Sequence, residues 1–242
     1  MGGGTPSTVV IGDVHGCGVE LRSLLRRIDQ HSPRCRLIFI GDLFTKGPRP
    51  DLVLSEILTR RARRQRVDLV CGNHELKLRS ALRAHRRGVQ LHHLSGSSAR
   101  TLRTLSDAGM LDDVNPLLEE AVGNVEISGG RPRWVCLHAG IDPMRGLRGT
   151  SDSVKVHRRA APGARDWWWD YDGSDGLMIV GHKPLSAPLR VCRSDGRPIV
   201  VNVDTGCAAG GALTAYWIER DRFLSVPSRQ SARATVLKRS AA

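Results

Sequence analysis

The stretch TVVIGDVHGC, residues 8–17, places a carboxylate and an imidazole directly after a run of apolar residues. The β-branched run predicts a buried strand, and Gly12 marks its end. Asp13 and His15, the polar side chains that follow, are both common metal ligands. This short motif is weak evidence by itself, because an Asp after a strand can also cap the next helix. Its meaning depends on which other side chains stand at strand ends.

Four other predicted strands end in the same way, with a metal-binding side chain near a glycine. Asp42 follows the run CRLIFIG, Asn73 follows VDLVCG, His138 follows RWVCL and His182 follows LMIVG. Ligands in open α/β sheets bind at the carboxyl ends of the strands, and glycine lets the backbone approach them closely. Each residue alone has a structural explanation, such as a cap or a turn. Their repetition at five strand ends favours one shared site.

The six side chains at these ends are two Asp, one Asn and three His, a mixed set of oxygen and nitrogen donors. Such a set suits Mn²⁺, iron or Zn²⁺ rather than Ca²⁺. Paired metal ions lie about 3.5–4 Å apart, so a carboxylate should bridge them. Asp42, which follows the central strand, is the natural bridge, and His74 stays free beside the ions. The remaining ligands divide into Asp13 and His15 for one ion, and Asn73, His138 and His182 for the other.

Strand and helix patterns alternate through the first half of the chain, and strand patterns dominate the second half. The alternation predicts βαβ units on a largely parallel sheet. The strand-rich half predicts a second, mixed sheet packed against the first. We expect one domain over residues 8–227, with a helical cap insertion at about 79–121. The ends, residues 1–7 and 228–242, are expected to be flexible.

The chain is strongly basic, with 37 Lys and Arg against 24 Asp and Glu and a net charge of +13. A basic surface attracts anions such as phosphates, nucleotides and RNA. Aromatic residues make up only 4% of the sequence, and none interrupts the densest basic run, residues 60–66. Since single-stranded nucleic acids bind by stacking bases on aromatic side chains, dedicated nucleic-acid binding is disfavoured.

Nothing in the sequence predicts membrane insertion or secretion. The chain has no apolar run of about 18 residues, and its N-terminus lacks both the basic and the long apolar region of a signal peptide. The six cysteines are scattered and form no C-x-x-C pair. Their spacing favours reduced, mostly buried thiols. These observations predict a cytoplasmic protein.

Five motifs in order resemble the PPP-type metallophosphoesterases: GDVHG (12–16), GD followed by KG (41–47), GNHE (72–75), HAG (138–140) and GH (181–182). This family includes serine/threonine protein phosphatases, small bacterial and phage phosphatases, and diadenosine tetraphosphate hydrolases. The resemblance covers residues 8–227, and its last part, VNVDTGCAAGGALTAYWIE, resembles the closing strands of the bacterial branch. It implies an α/β fold of the calcineurin-like kind, an αββα sandwich of two mixed β-sheets flanked by helices.

The resemblance implies a two-metal hydrolase that uses the same six ligands. A hydroxide bridging the two metal ions would attack phosphorus in line. His74 would be the general acid on the leaving oxygen, a role suited to a group that titrates at about pH 6.5. The expected cofactors are two divalent ions, Mn²⁺ first, with iron and Zn²⁺ as alternatives.

The second motif departs from the protein-phosphatase branch, which usually reads G-D-x-V-D-R-G. Thr45 stands where that branch has an Asp that orients the acid histidine. Because Thr offers a hydrogen bond but no charge, His74 should be a weaker base. Lys46 replaces an Arg that binds phosphate through two hydrogen bonds, whereas an ammonium acts as a point charge. A Lys-Gly-Pro ending looks more like the dinucleoside polyphosphate hydrolases, so it favours a nucleotide substrate.

A second phosphate-binding cation is expected between His138 and His182. The candidates, which the sequence does not rank, are Arg158, Arg159 and Arg165. Within the same segment three tryptophans are adjacent, at residues 167–169. They either pack under a loop or, through Trp168, form a platform on which adenine stacks.

Three functions follow from these observations. The leading hypothesis is hydrolysis of diadenosine tetraphosphate and related dinucleoside polyphosphates. The alternative is a serine/threonine protein phosphatase that acts on phosphoproteins or on phosphomonoesters in general. The third is a non-catalytic nucleotide- or RNA-binding module, which is disfavoured because His74 and every predicted metal ligand are present.

Overall fold

Two five-stranded β-sheets packed face to face form the centre of the protein. The computed structural model describes residues 7–127 and 133–231. The strands within these residues are β1 (Thr8–Ile11), β2 (Arg36–Phe39), β3 (Val67–Leu69), β4 (Asn124–Ile127), β5 (Trp134–Leu137), β6 (Leu177–Val180), β7 (Leu189–Cys192), β8 (Pro198–Asn202), β9 (Ala212–Trp217) and β10 (Arg222–Pro227).

Helices cover the outer faces of the sheets. Within the described residues they are α1 (Gly18–His31), α2 (Pro50–Ala62), α3 (Asn73–Arg86), α4 (Gly96–Asp107), α5 (Leu111–Glu120), α6 (Gly146–Gly149) and α7 (Asp152–His157). Pro50 opens α2, a position where its missing N–H removes no helical hydrogen bond. Of the helices described, none combines the length and the apolar character that crossing a membrane requires.

The first sheet has the strand order β10-β9-β1-β2-β3. β1, β2 and β3 are parallel, with Val9 opposite Leu37 and Leu37 opposite Val67. β9 and β10 complete the sheet as antiparallel strands. Because the three parallel strands end at one edge, the loops that follow them meet there.

The second sheet has the strand order β4-β5-β6-β8-β7. β5, β6 and β8 are parallel, and β4 and β7 are antiparallel edge strands. The turn between β7 and β8 is closed by a 2.9 Å hydrogen bond from the N–H of Arg193 to the carbonyl of Arg197. Both sheets are therefore mixed, as predicted.

Successive side chains of a strand pack in different layers of the fold. Val9 and Ile11 of β1 pack under the helices, and Val10 packs between the two sheets. Ile179 and Val201 meet Val10 in that middle layer from the second sheet. Successive strand residues point to opposite faces, so a wholly apolar run fits a strand covered on both sides. The predicted αββα sandwich is confirmed.

The segment predicted as a helical cap, residues 79–121, contains the end of α3 and all of α4 and α5. Its apolar side chains, among them Leu102, Leu105 and Leu117, belong to the same core as α1 and α2. Of the predicted flexible ends, only Ser7 and residues 228–231 lie among the described residues. All six cysteines are free thiols, and Cys192 alone among them is exposed.

Candidate metal centre and active site

The side chains predicted to bind metal lie where the carboxyl edges of the two sheets meet, and Asp42 is at their centre. Its Oδ2 lies 3.4 Å from Nε2 of His15, and its Oδ1 lies 3.5 Å from Nε2 of His138. The two oxygens of the Asp42 carboxylate thus face two different histidines. The described residues contain two clusters here with ligand atoms at metal-binding spacing, and Asp42 belongs to both: His15, Asp42 and His74, and Asp42, His138 and His182.

The other predicted ligands adjoin these clusters. Asp13 Oδ2 lies 4.0 Å from Nε2 of His15. Asn73 Oδ1 lies 3.2 Å from Nε2 of His138, and Nδ1 of His182 lies 3.1 Å from that same nitrogen. Every one of the six side chains therefore lies beside another member of the set.

Hydrogen bonds to the backbone hold the histidines of the second sheet against the loops of the first. The N–H of His182 donates to Asp13 Oδ1 at 3.2 Å, across 169 positions of sequence. Nδ1 of His138 lies 2.8 Å from the carbonyl oxygen of Ile40. A ring that donates from Nδ1 to a carbonyl presents an unprotonated Nε2 as a ligand. His138 is therefore fixed in the tautomer that suits metal binding.

The burial of these groups makes a cation favourable. Asp13 and Asp42 are 3% and 2% exposed. Burial raises the pKa of Asp13 well above its ordinary value and the pKa of Asp42 to about 6. Burial lowers the pKa of His138 to about 3, which keeps its ring neutral, the form that binds metal. Buried carboxylates among neutral imidazoles need positive charge, so the donor set fits divalent ions.

The backbone at the site adopts unusual conformations. His15 (φ 50°), Asp42 (φ 53°), Lys46 (φ 76°) and His182 (φ 66°) are four of the six non-glycine residues with positive φ in the described chain. Such residues are uncommon, and surrounding contacts have to hold them in place, as is typical of functional sites. The contacts around the site therefore hold these turns in conformations that the residues rarely adopt elsewhere.

Two glycines let backbone pass directly against the carboxylates. A Cβ on Gly72 would overlap the carboxylate of Asp42, and a Cβ on Gly181 would overlap that of Asp13. The close approach expected from the sequence is present at both positions. The carboxylates are thus fixed by the surrounding backbone as well as by hydrogen bonds.

His74 lies at the edge of the cluster. Its Nδ1 is 2.7 Å from the hydroxyl of Thr45, and its Nε2 is 3.9 Å from Asp42 Oδ2. Burial, together with the charges of Lys46 and Lys77, lowers the pKa of His74 to about 3. Thr45 therefore orients the ring without adding a negative charge, as the departure from the protein-phosphatase motif suggested.

Glu75 has a positioning role that the sequence analysis did not identify. Its carboxylate is buried and accepts hydrogen bonds from three backbone N–H groups: Leu43 at 2.8 Å, Gly72 at 3.0 Å and Asp42 at 2.5 Å. It ties the loop after β2 to the loop after β3. The signal in the sequence was the Glu at the third position of α3, where a Glu side chain commonly accepts from the N–H of the residue before the helix, here Gly72.

A cavity of about 650 Å³ opens beside the cluster. Among its lining residues are Lys46, Arg158, Arg159 and Lys183. Nζ of Lys46 lies 2.6 Å from Nε2 of His15, and Nε of Arg159 lies 3.0 Å from Nε2 of His182. Lys183 pairs with Asp166, so Lys46 and Arg159 are the cations that the structure places against the cluster.

Arg165 and the tryptophans are placed differently. Arg165 pairs with Asp170 and does not line the cavity. Trp167 and Trp168 belong to the core on the outer face of the second sheet, and Trp169 is 44% exposed. Trp168 also lines the cavity, but only 3% of it is exposed. Its Nε1 is buried with no hydrogen-bond partner in the described residues.

Asp204 is a second residue that the sequence analysis missed. It follows β8, lines the cavity and is 4% exposed. Burial raises its pKa to about 6, and its charge helps to raise the pKa of Asp13. Asp204 follows a strand and lies two positions before Gly206, so it fits the same sequence pattern as the other strand-end residues.

This arrangement of buried carboxylates and imidazoles at the edges of two packed sheets is that of a phosphoesterase family. The sequence matches the calcineurin-like phosphoesterase family over residues 6–210. The chain belongs to that family, whose members use divalent metal ions.

Two named relatives and one solved structure are similar to this chain over most of its length. The chain is 31% identical to the asymmetrical bis(5'-nucleosyl)-tetraphosphatase PrpE of Halalkalibacterium halodurans, over 91% of this chain and 94% of the relative. It is 26% identical to a symmetrical bis(5'-nucleosyl)-tetraphosphatase of Janthinobacterium sp. strain Marseille, over 86% and 92%. Its fold is similar to the crystal structure of a proposed diadenosine tetraphosphatase, with a TM-score of 0.69, 21% identity, and coverage of 96% of this chain and 97% of the other.

Proposed function

We propose that the protein is a two-metal phosphoesterase that hydrolyses diadenosine tetraphosphate and related dinucleoside polyphosphates, and that it cleaves them asymmetrically. The observation that carries this proposal is the cation-lined cavity of about 650 Å³ beside the ligand cluster. Its volume is in the range that holds a nucleotide-sized molecule. The substrate class and the asymmetry are supported by the names of the relatives that are about 30% identical over nine tenths of this chain.

Metal binding is proposed for the six side chains described above. Two ions bound there would supply positive charge opposite the phosphate oxygens and would lower the pKa of water. We propose Mn²⁺, with iron and Zn²⁺ as alternatives, because the donors are mixed oxygen and nitrogen. Asp13, His15 and Asp42 would hold one ion, and Asp42, Asn73, His138 and His182 the other.

His74 is proposed as the group that serves the leaving oxygen. If the Thr45 hydroxyl donates to Nδ1, the ring proton stays on Nε2, which lies on the Asp42 side of the ring. The ring then offers a hydrogen at that atom to the oxygen that departs from phosphorus.

Lys46, Arg158 and Arg159 are proposed to bind the phosphate chain. Lys46 and Arg159 already reach the imidazoles at the mouth of the cluster. Their charges would be opposite a phosphate that lies at the cluster, and charged hydrogen bonds of this kind are the strong ones. Arg165, which pairs with Asp170, is the least supported of the three arginine candidates.

Trp168 is proposed to contact the nucleoside through its edge. Its ring has too little exposed surface to offer a full stacking face. Its Nε1 is itself buried, so the contact would be made by the carbon edge of the ring that lines the cavity. Trp168→Leu removes this ring edge, so we expect a several-fold higher KM for diadenosine tetraphosphate. An unchanged KM would remove Trp168 from the site.

The test of the proposed function compares two substrates with Mn²⁺ added. We expect a higher kcat/KM for diadenosine tetraphosphate than for a phosphoserine peptide, because the cavity suits a nucleotide. Chromatography of the products should show ATP and AMP. Two molecules of ADP would contradict asymmetric cleavage, and a preference for the peptide would favour the alternative, a protein phosphatase.

A further inference from the structure

A second, smaller cleft of about 230 Å³ borders Lys46. Lys46 lines both this cleft and the main cavity, and their other lining residues differ. The small cleft lies between the loop that carries Lys46, the helix α4 and Gln230. It is therefore a separate space that begins at a residue of the proposed active site.

One face of α4 lines the cleft with polar side chains. Ser97, Arg100, Thr101 and Thr104 all border it, and their spacing of three and four positions places them on one side of a helix. The Thr101 hydroxyl donates to the carbonyl of Phe44 at 3.2 Å. This bond fixes α4 against the loop of Lys46, so the two positive side chains are held on adjoining elements.

The cleft is electropositive. Lys46 and Arg100 are among its nine lining residues, and none of the nine is acidic. Within residues 7–127 and 133–231, Arg100 forms no ion pair. An arginine that faces a cleft without a carboxylate is available to bind an anion, and its planar group suits phosphate through two hydrogen bonds.

We propose that this cleft binds the distal phosphates of a dinucleoside polyphosphate whose reacting phosphate lies at the metal cluster. The proposal rests on the proposed function. A nucleoside with its phosphate chain needs a larger space than about 230 Å³, whereas the main cavity can hold one. The phosphate chain would run from the cluster past Lys46 to Arg100, and the substrate would span both spaces.

Arg100→Gln tests this subsite. We expect the ratio of kcat/KM for diadenosine tetraphosphate to kcat/KM for p-nitrophenyl phosphate to fall about tenfold. That is the size of effect expected when one charged hydrogen bond is lost, and the monophosphate has no distal phosphates to bind. Arg100→Lys, which keeps the charge, should restore part of the ratio.

Arg26→Gln is the matched control. Arg26 is an exposed arginine on α1 that lines neither space, so the ratio should stay at the wild-type value. Equal ratios in Arg100→Gln and Arg26→Gln would overturn the subsite while leaving the proposed function intact. Wild-type protein that hydrolyses p-nitrophenyl phosphate but not diadenosine tetraphosphate would overturn the proposed substrate, and the subsite with it.

Discussion

Glu75→Gln should destabilise the protein although it changes one atom. In the native structure one carboxylate oxygen accepts from Leu43, and the other accepts from Asp42 and Gly72. An amide has a single acceptor oxygen. In its better orientation it keeps the bonds to Asp42 and Gly72 and turns its NH₂ group toward the N–H of Leu43. One buried donor then loses its partner and faces another donor.

The magnitude follows from these bonds. A hydrogen bond to a charged group contributes about 1.5–3 kcal/mol, and the two bonds that remain become weaker because the amide is neutral. Removing a buried negative charge beside Asp42 offsets part of this loss, since burial and that neighbour raise the pKa of Glu75 to about 7. The two effects partly cancel, and we expect the free energy of unfolding at pH 8 to fall by about 1–2 kcal/mol.

The assay is urea denaturation of the metal-depleted protein, followed by circular dichroism. With an unchanged slope, the midpoint should fall by about 0.5 M. Glu219→Gln is the matched control, because both Glu219 oxygens accept from the same N–H, that of Thr8. One amide oxygen can retain that bond, so we expect a loss of about 0.5 kcal/mol at most. Equal midpoints for the two variants would refute the positioning role of Glu75.

Three further predictions concern the cluster. His74→Ala should lower kcat by about 10²–10⁴-fold and leave metal content unchanged by elemental analysis; full activity would refute its role. Asp42→Asn should lose at least one of two bound ions, because it faces both groups of ligands; two retained ions would rule out the bridge. Gly181→Ala should destabilise the fold by about 1–3 kcal/mol and weaken metal binding, since its Cβ would overlap Asp13. Gly123→Ala is the control: its added Cβ would contact only the side chain of Asp152, so stability and metal binding should both stay unchanged.

The fold class and the core of the site were predictable because they depend on local patterns. β-branched runs, turns rich in glycine and helical spacing define strands, loops and helices within a few residues of themselves. Parallel strands then bring their carboxyl ends to one edge. Asp13, Asp42 and His182 could therefore be placed together from their positions at strand ends alone, and the structure places them together.

Which arginine and which tryptophan of residues 158–169 contact the site could not be predicted from local patterns. Arg159 contacts His182, whereas Arg165 turns away to Asp170. Trp168 is buried, and Trp169, one position later, is exposed. These differences depend on loop conformations, and the conformation of a loop is decided by what it packs against.

The sequence by itself thus determined two packed β-sheets flanked by helices and a set of polar side chains at strand ends, because both follow from short-range periodicity. Only the tertiary structure decided that Glu75 joins two loops by accepting three backbone N–H groups. It also decided that Lys46 and Arg100 border one cleft. The physical reason is that hydrogen bonds and charge interactions act over a few ångströms in space, whatever the distance along the chain.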